Sequence, residues 1–218
     1  MREIGNIYLS WKRGAGGRRY IVGVLKKNSV DGVRFRYIKD GVRDAKAEGF
    51  SLYTEFPEID KEYSKNVLET FGQRLIKAER SDISSFIDFW EISPKYLDDT
   101  YYMLAHTMGL TPTDNFEFLA NYHPVKGLRF ISDIAGLTSQ KLPANTLSVG
   151  DKLTLRKEDT NPYDKRAVAI FKEETKIGYV KVIHNRVFHK RDLQHFSVEV
   201  KALDVNGVLK KAFVKFSL

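Results

Sequence analysis

A short polar turn between two apolar runs carries the residue types best suited to binding chemistry. It is Asn161-Pro162-Tyr163-Asp164, and two cations, Lys165 and Arg166, follow it directly. In one interpretation Asn161 and Asp164 hydrogen-bond to nearby backbone, Pro162 fixes the dihedral φ, and Tyr163 packs at the mouth of the fold. In the other, Tyr163 offers its ring face to a nucleic-acid base, Asp164 accepts a hydrogen bond from a sugar hydroxyl, and the basic neighbours hold phosphate.

Other residue groups lack the spacing that catalysis or metal binding requires. The chain has no Cys, which excludes disulfides, thiolate catalysis and Cys-ligated zinc. His184, His189 and His195 do not align on one helix face as zinc ligands. The glycine-rich stretch 12–19 lacks the Gly-Lys-Ser/Thr ending of a P-loop and is better explained as a basic hairpin tip, and no Gly-x-Ser-x-Gly elbow is present. We therefore predict no catalytic residue, no metal site and no cofactor, and a protein that is not an enzyme.

The positive charge is concentrated in the second half of the chain. The chain has 36 basic and 28 acidic residues, a net charge of +8. Residues 1–46 hold 12 basic and 4 acidic residues, residues 47–124 hold 6 and 14, and residues 125–218 hold 18 and 10. The first two blocks cancel, so the net charge resides in the third. A basic surface favours phosphate backbones through Coulomb attraction and counterion release.

The elements that position the turn follow from hydrophobic periodicity. Residues 6–11 and 18–25 predict a β-hairpin, and residues 33–38 alternate apolar and basic side chains like a strand. Apolar residues then recur at helical spacing from 67 to 76 and from 83 to 90. The first part is therefore predicted to be an antiparallel hairpin or sheet plus helices.

After Pro124 the spacing of apolar residues becomes that of β-strands. Six short alternating or apolar runs separated by turns follow, and only residues 183–193 could form a short helix. Six short strands suggest a small closed or nearly closed barrel, which leaves its loops for ligands. We predict an α+β protein with two domains, residues 1–124 and residues 125–218.

The N-terminus lacks the basic-then-apolar run of a signal peptide, and no stretch approaches the roughly 18 apolar residues of a membrane helix. The absence of Cys fits a reducing compartment. We therefore expect a cytoplasmic protein that does not bind membranes.

From about Leu128 to the end, the chain resembles the HIRAN domain. The matching motifs are Ala135-Gly136 after the opening strand, the strand ending in Leu155-Arg156, the turn at 161–164 with Ala167-Val168, and Ile177-Gly178-Tyr179-Val180. The resemblance implies an OB-like barrel that binds single-stranded DNA by capturing its free 3′ end. It also implies that Tyr163 stacks on the terminal nucleotide, that Asp164 accepts from the 3′-OH, and that Tyr179 and Lys181 lie beside the strand.

Two further comparisons refine this hypothesis. DNA-end-binding HIRAN domains have an Arg-Tyr pair shortly after the opening-strand Gly, where this chain has Thr138-Ser139. Half of the aromatic clamp is therefore missing. The first domain faintly resembles the N-terminal region of HipA-type toxin kinases, through Val22-Gly23-Val24-Leu25 and Phe71-Gly72-Gln73-Arg74-Leu75. That resemblance implies an interaction or regulatory domain.

The sequence thus predicts a non-catalytic nucleic-acid-binding protein whose ligand is single-stranded DNA or a DNA 3′ end. The alternative is a protein-interaction or regulatory module of a toxin–antitoxin-like or DNA-processing system, with a protein partner bound by the first domain. The candidate nucleic-acid-binding residues are Arg156, Asn161, Tyr163, Asp164, Lys165, Arg166, Tyr179 and Lys181.

Overall fold

The computed structural model describes residues 3–14, 16–30, 32–77, 79–206 and 208–218. It confirms the α+β class and divides into two compact units. The first unit contains residues 4–121, and the second contains residues 122–218 together with Glu3. Within the described ranges, no helix is long and apolar enough to cross a membrane.

The first unit is built on a five-stranded sheet with the order β4-β3-β2-β1-β5. Its hairpin and its third strand are antiparallel, as predicted from the alternating apolar residues. The glycine-rich connection between the hairpin strands includes Ala15, which lies outside the described residues. The strands are β1 (Ile4–Lys12), β2 (Arg19–Asn28), β3 (Gly32–Tyr37), β4 (Glu62–Tyr63) and β5 (Phe116–Tyr122).

Among the described residues of this unit, four α-helices accompany the sheet: α1 (Lys39–Lys46), α2 (Val67–Gly72), α3 (Ile83–Trp90) and α4 (Thr100–Thr107). The apolar periodicity located α2 and α3, although α2 ends at Gly72 rather than near residue 76. The same pattern did not indicate α1, because this short helix buries only Val42 and Ala45. Aromatic side chains fill much of the core, with Phe35, Phe56 and Phe71 in mutual contact.

The second unit contains the six predicted strands in one sheet, with the order β6-β11-β10-β7-β8-β9. Its neighbouring strands pair antiparallel. The strands are β6 (Arg129–Asp133), β7 (Lys152–Glu158), β8 (Ala167–Lys172), β9 (Thr175–Tyr179), β10 (Ser197–Asn206) and β11 (Val208–Ser217).

The two edges of this sheet approach each other just beyond β6. Ala135 and Tyr179 each donate a backbone hydrogen bond to the other, both 2.8 Å long. Gly178 allows this approach, because a Cβ atom there would lie 2.5 Å from the Ala135 carbonyl oxygen. This contact is a single bridge rather than a ladder along the two edges, so the closed OB-like barrel stays a prediction.

The helix predicted at residues 183–193 takes a different form. The segment contains a 3₁₀ helix at His184–His189, and a second one follows at Leu193–His195. Its turns close through i to i+3 bonds, such as the one from the Arg186 amide to the Ile183 carbonyl. Asp192 then adopts an extended conformation and interrupts the helical path.

Candidate nucleic-acid interface

The turn between β7 and β8 is held by its own side chains. Asn161 Oδ1 accepts hydrogen bonds from the amides of Tyr163 and Asp164, at 3.0 and 3.2 Å. Asp164 Oδ1 accepts from the Arg166 amide at 2.9 Å. These contacts confirm that Asn161 and Asp164 bond to nearby backbone, as turn chemistry predicts. The backbone around Tyr163 is therefore fixed locally.

Tyr163 does not pack against the fold. Its relative exposure is 97%, so the part of the structural interpretation that placed its ring at the mouth of the fold is wrong. Large aromatic side chains normally bury much of their surface, because that burial is favourable. Tyr163 instead presents its ring to solvent on a hydrogen-bonded turn.

Asp164 is oriented by a residue that sequence reasoning missed. The Asn185 amide is 2% exposed, and its Nδ2 donates to Asp164 Oδ2 at 2.7 Å and to the Arg166 carbonyl at 2.8 Å. Asn185 lies in the 3₁₀ helix His184–His189, which holds it against the turn. The sequence carries no signal for this role, because Asn185 lies between His184 and Arg186 in a mostly polar stretch.

Tyr179 belongs to a polar cluster on the other side of the turn. Its hydroxyl donates to Glu158 Oε2 at 2.9 Å and accepts from Asn161 Nδ2 at 3.3 Å. Lys176 Nζ contacts the same hydroxyl and donates to Glu158 Oε1 at 2.7 Å. The hydrogen bond from Lys176 is the largest influence holding the pKa of Glu158 below its ordinary value. We call Glu158, Asn161, Lys176 and Tyr179 the Tyr179 cluster.

The structure contradicts the prediction that Lys181 binds nucleic acid. Its side chain is 1% exposed and its ammonium is ion-paired with Asp133. A buried cation needs such a partner, because leaving water without one is costly. Lys181 therefore lies in the interior, paired with Asp133 at the end of β6, and does not present its charge to a ligand at the surface.

The other predicted cations are exposed. The Arg156 guanidinium pairs with Glu174 Oε1 at 2.9 Å and lies over the Phe171 ring, 4.2 Å from its centroid. Among the residues that the structure describes, Lys165 and Arg166 form no ion pair. Those two charges, next to Tyr163, are available to phosphate without first breaking a bond to a carboxylate.

A second basic feature was not predicted from the sequence. An open groove of about 620 Å³ lies between the end of β7 and the segment after the 3₁₀ helix. His189 Nε2 donates to the Arg166 carbonyl at 3.1 Å, which joins the groove to the turn. Periodicity could not reveal the groove, because Lys157 lies some thirty residues away from the others in sequence. We call this feature the basic groove; its lining residues are Lys157, His189, Lys190, Arg191, Asp192 and Leu193.

Several positively charged side chains lie close together in and beside the basic groove. Burial is the main influence that lowers the pKa of Lys190, and the positive charge of Arg186 lowers it further. Lys190 Nζ donates to the Tyr122 carbonyl at 3.1 Å, and Arg191 Nη1 donates to the Pro124 carbonyl at 3.4 Å. Both of these acceptors are backbone carbonyls.

The chain was compared with curated proteins and with solved structures. No curated protein matches the chain. Among solved structures, a crystal structure of a protein from Lactobacillus plantarum is 21% identical over 43% of this chain and 96% of that chain, with a TM-score of 0.33. The resemblance of the first unit to HipA-type kinases stays a prediction.

The family comparison concerns the second unit. Residues 122–202 match the model of the HIRAN domain. This range includes the turn, the Tyr179 cluster and the basic groove. A HIRAN domain is in general a DNA-binding domain, which is consistent with nucleic-acid binding by this part of the chain. From residue 122 to residue 202, the protein is therefore similar to a HIRAN domain.

Proposed function

We propose that the second unit binds nucleic acid without catalysing a reaction, and that its ligand is single-stranded DNA, preferably at a free 3′ end. The observation that carries this proposal is Tyr163, which is 97% exposed on a turn held by Asn161. An exposed aromatic ring on a fixed backbone is a stacking surface that any base can use. The neighbouring cations Lys165 and Arg166 supply charge for the phosphates.

The preference for a free end comes from Asp164. Each of its carboxylate oxygens accepts one hydrogen bond from the protein and keeps further acceptor capacity. A terminal 3′-OH can donate to that remaining capacity. A terminal 3′-phosphate cannot donate when ionised, and its negative charge is repelled by the carboxylate. The same geometry therefore favours the hydroxyl and disfavours the phosphate.

The turn supplies only one aromatic surface. An Arg-Tyr pair is expected at the position of Thr138 and Ser139. These two residues are exposed in a 3₁₀ turn, and neither has an aromatic ring that could stack on a base. Since stacking contributes about 1 to 3 kcal/mol per base, the missing partner lowers affinity by roughly tenfold or more relative to a two-sided clamp. We expect binding that depends strongly on the phosphate contacts.

The experiment is a titration of the full chain with fluorescent single-stranded DNA, read by anisotropy. Tyr163→Ala is expected to weaken binding by roughly 5- to 150-fold, the equivalent of about 1 to 3 kcal/mol, with little change in salt dependence. Tyr163→Phe keeps the ring and is expected to bind like the unchanged protein. Tyr96→Ala removes an exposed tyrosine of the first unit and serves as the control. Equal binding by Tyr163→Ala and the unchanged protein would remove the stacking role.

A second candidate function is a protein-interaction or regulatory module that acts through the first unit. The observation that favours it is α3, in which Phe86, Ile87 and Phe89 are only partly covered and Trp90 alone is buried. Capture from lysate after nuclease treatment distinguishes the two functions. A stoichiometric protein that remains bound, together with no binding of single-stranded DNA, would favour the interaction module.

A further inference from the structure

We propose that the DNA backbone leaves the Tyr163 turn through the basic groove, past Lys157 and Arg191, and not along Tyr179. This inference rests on the proposed function and deepens it by assigning the path of the strand. It departs from the path that the resemblance to HIRAN domains implies, in which Tyr179 and Lys181 lie beside the strand.

The two possible paths begin on opposite faces of the same strand. Lys157 and Glu158 are consecutive residues of β7, and consecutive strand residues project to opposite faces. Lys157 lines the basic groove, while Glu158 bonds to Tyr179 and Lys176. The turn that carries Tyr163 follows directly after both residues, so the strand of DNA can leave it on either side.

The Tyr179 side has little charge to offer to phosphate. Lys176 is engaged by Glu158, and Lys181 is buried against Asp133. The Tyr179 hydroxyl donates its proton to the Glu158 carboxylate, so it has no second proton for a phosphate oxygen. A phosphate placed here would also approach the negative charge of Glu158, and like charges repel. Arg156, two residues before Glu158 in β7, projects to this same face, but its guanidinium is paired with Glu174.

The basic groove offers the opposite environment. Among the residues that the structure describes, Lys157 and Arg191 form no ion pair, and both are exposed. Asp192 is the one acidic side chain that lines the groove, and its Oδ1 accepts from the Gln194 amide. His189 connects the groove to the Arg166 carbonyl, next to the free charge of Arg166. Positive charge therefore continues from the turn into the groove.

The test compares the salt dependence of DNA binding in variants of the two paths. The ligand is a single-stranded DNA of about 12 nucleotides with a free 3′-OH, long enough to extend beyond the turn. Each phosphate contact contributes about 0.7 to the slope of log K against log salt concentration for single strands. The double variant Lys157→Gln, Arg191→Gln is expected to lose about 1.4 from that slope, one contact for each charge removed. Lys141→Gln, which removes an exposed cation that does not line the basic groove, is the control and is expected to leave the slope unchanged.

The inference is overturned if Lys141→Gln lowers the slope of log K against log salt concentration and the double variant leaves it unchanged. An unchanged slope in both also overturns it. Tyr163→Ala, measured in parallel, separates this failure from failure of the proposed function. If Tyr163→Ala weakens binding while the double variant retains its slope, stacking stands and the path is wrong. Thermal unfolding of the double variant should match that of the unchanged protein, because both substituted side chains are exposed.

Discussion

At the scale of single residues, the site depends on a few side chains that hold others in place. The side chains of Asn161 and Asp164 accept hydrogen bonds from the turn backbone, and the Asn185 amide donates to the Asp164 carboxylate and orients it. The residue types of the turn could be interpreted from the sequence, because Asn, Pro and Asp favour turns for known local reasons. Asn185 and the burial of Lys181 could not, because both depend on contacts with residues distant in the chain.

Removal of the Asn185 amide tests this arrangement. Asn185→Ala removes the donor to Asp164 Oδ2 and leaves the Arg166 carbonyl with His189 Nε2 alone, which costs about 1 to 3 kcal/mol of folding free energy. Asp164 also loses its fixed orientation, so the preference for a free 3′-OH should decrease several-fold. Thermal unfolding and anisotropy measure the two effects. Asn145→Ala, at an exposed position of the same unit, should change neither.

At the scale of elements, the strands of the second unit were predictable and the shape of the loop segments was not. Alternating and short apolar runs predicted six strands after Pro124, and the structure has six. The segment from His184 to His189 forms a 3₁₀ helix and Asp192 is extended, and the spacing of apolar residues indicates neither feature. The basic groove was missed for the same reason, since it forms where this segment meets the end of β7.

The bridge between the sheet edges gives a prediction at this scale. Gly178→Ala places a Cβ atom against the Ala135 carbonyl and should destabilise the protein by about 1 to 3 kcal/mol. Chemical denaturation measures the loss, and hydrogen exchange should show faster exchange at the Ala135 and Tyr179 amides. Thr154→Ala, at an exposed position of β7, is the control. Unchanged protection of both amides would contradict the assigned role of Gly178.

At the scale of the whole molecule, charge distinguishes the two units. The net charge of residues 1–124 is zero, whereas residues 125–218 have a net charge of +8. The first unit contains its own charged centre, in which Arg74 donates two hydrogen bonds to Asp114, at 2.5 and 2.7 Å. Burial alone would raise the pKa of Asp114, but the hydrogen bonds from Arg74 and from the Phe116 amide outweigh it and lower that pKa.

Asp114→Asn should therefore destabilise the first unit by roughly 2 kcal/mol, less than a fully buried pair because Asp114 is 32% exposed. The pKa of Asp114 is lower in the folded protein than its ordinary value of 3.8. The pair with Arg74 therefore stabilises the protein fully at pH values above 3.8, and this stabilisation is lost as the pH falls through the folded-state pKa. The stability difference between the variant and the unchanged protein should shrink over that acidic range, as measured by chemical denaturation. At neutral pH and moderate temperature, DNA binding by the variant should be unchanged, and a loss of binding would contradict the assignment of the function to the second unit.

The measurement that tests the central claim most directly is the affinity of the full chain for two single-stranded DNAs that differ only at the 3′ end. One ends in a free 3′-OH and the other in a 3′-phosphate, and each is titrated at two salt concentrations. We expect roughly tenfold tighter binding of the free hydroxyl, the size of one hydrogen bond to a charged group. The preference should decrease in Asp164→Asn, which removes the charge that repels the phosphate. Equal affinity for the two ends, with a steep salt dependence, would contradict end recognition and leave a generic basic surface.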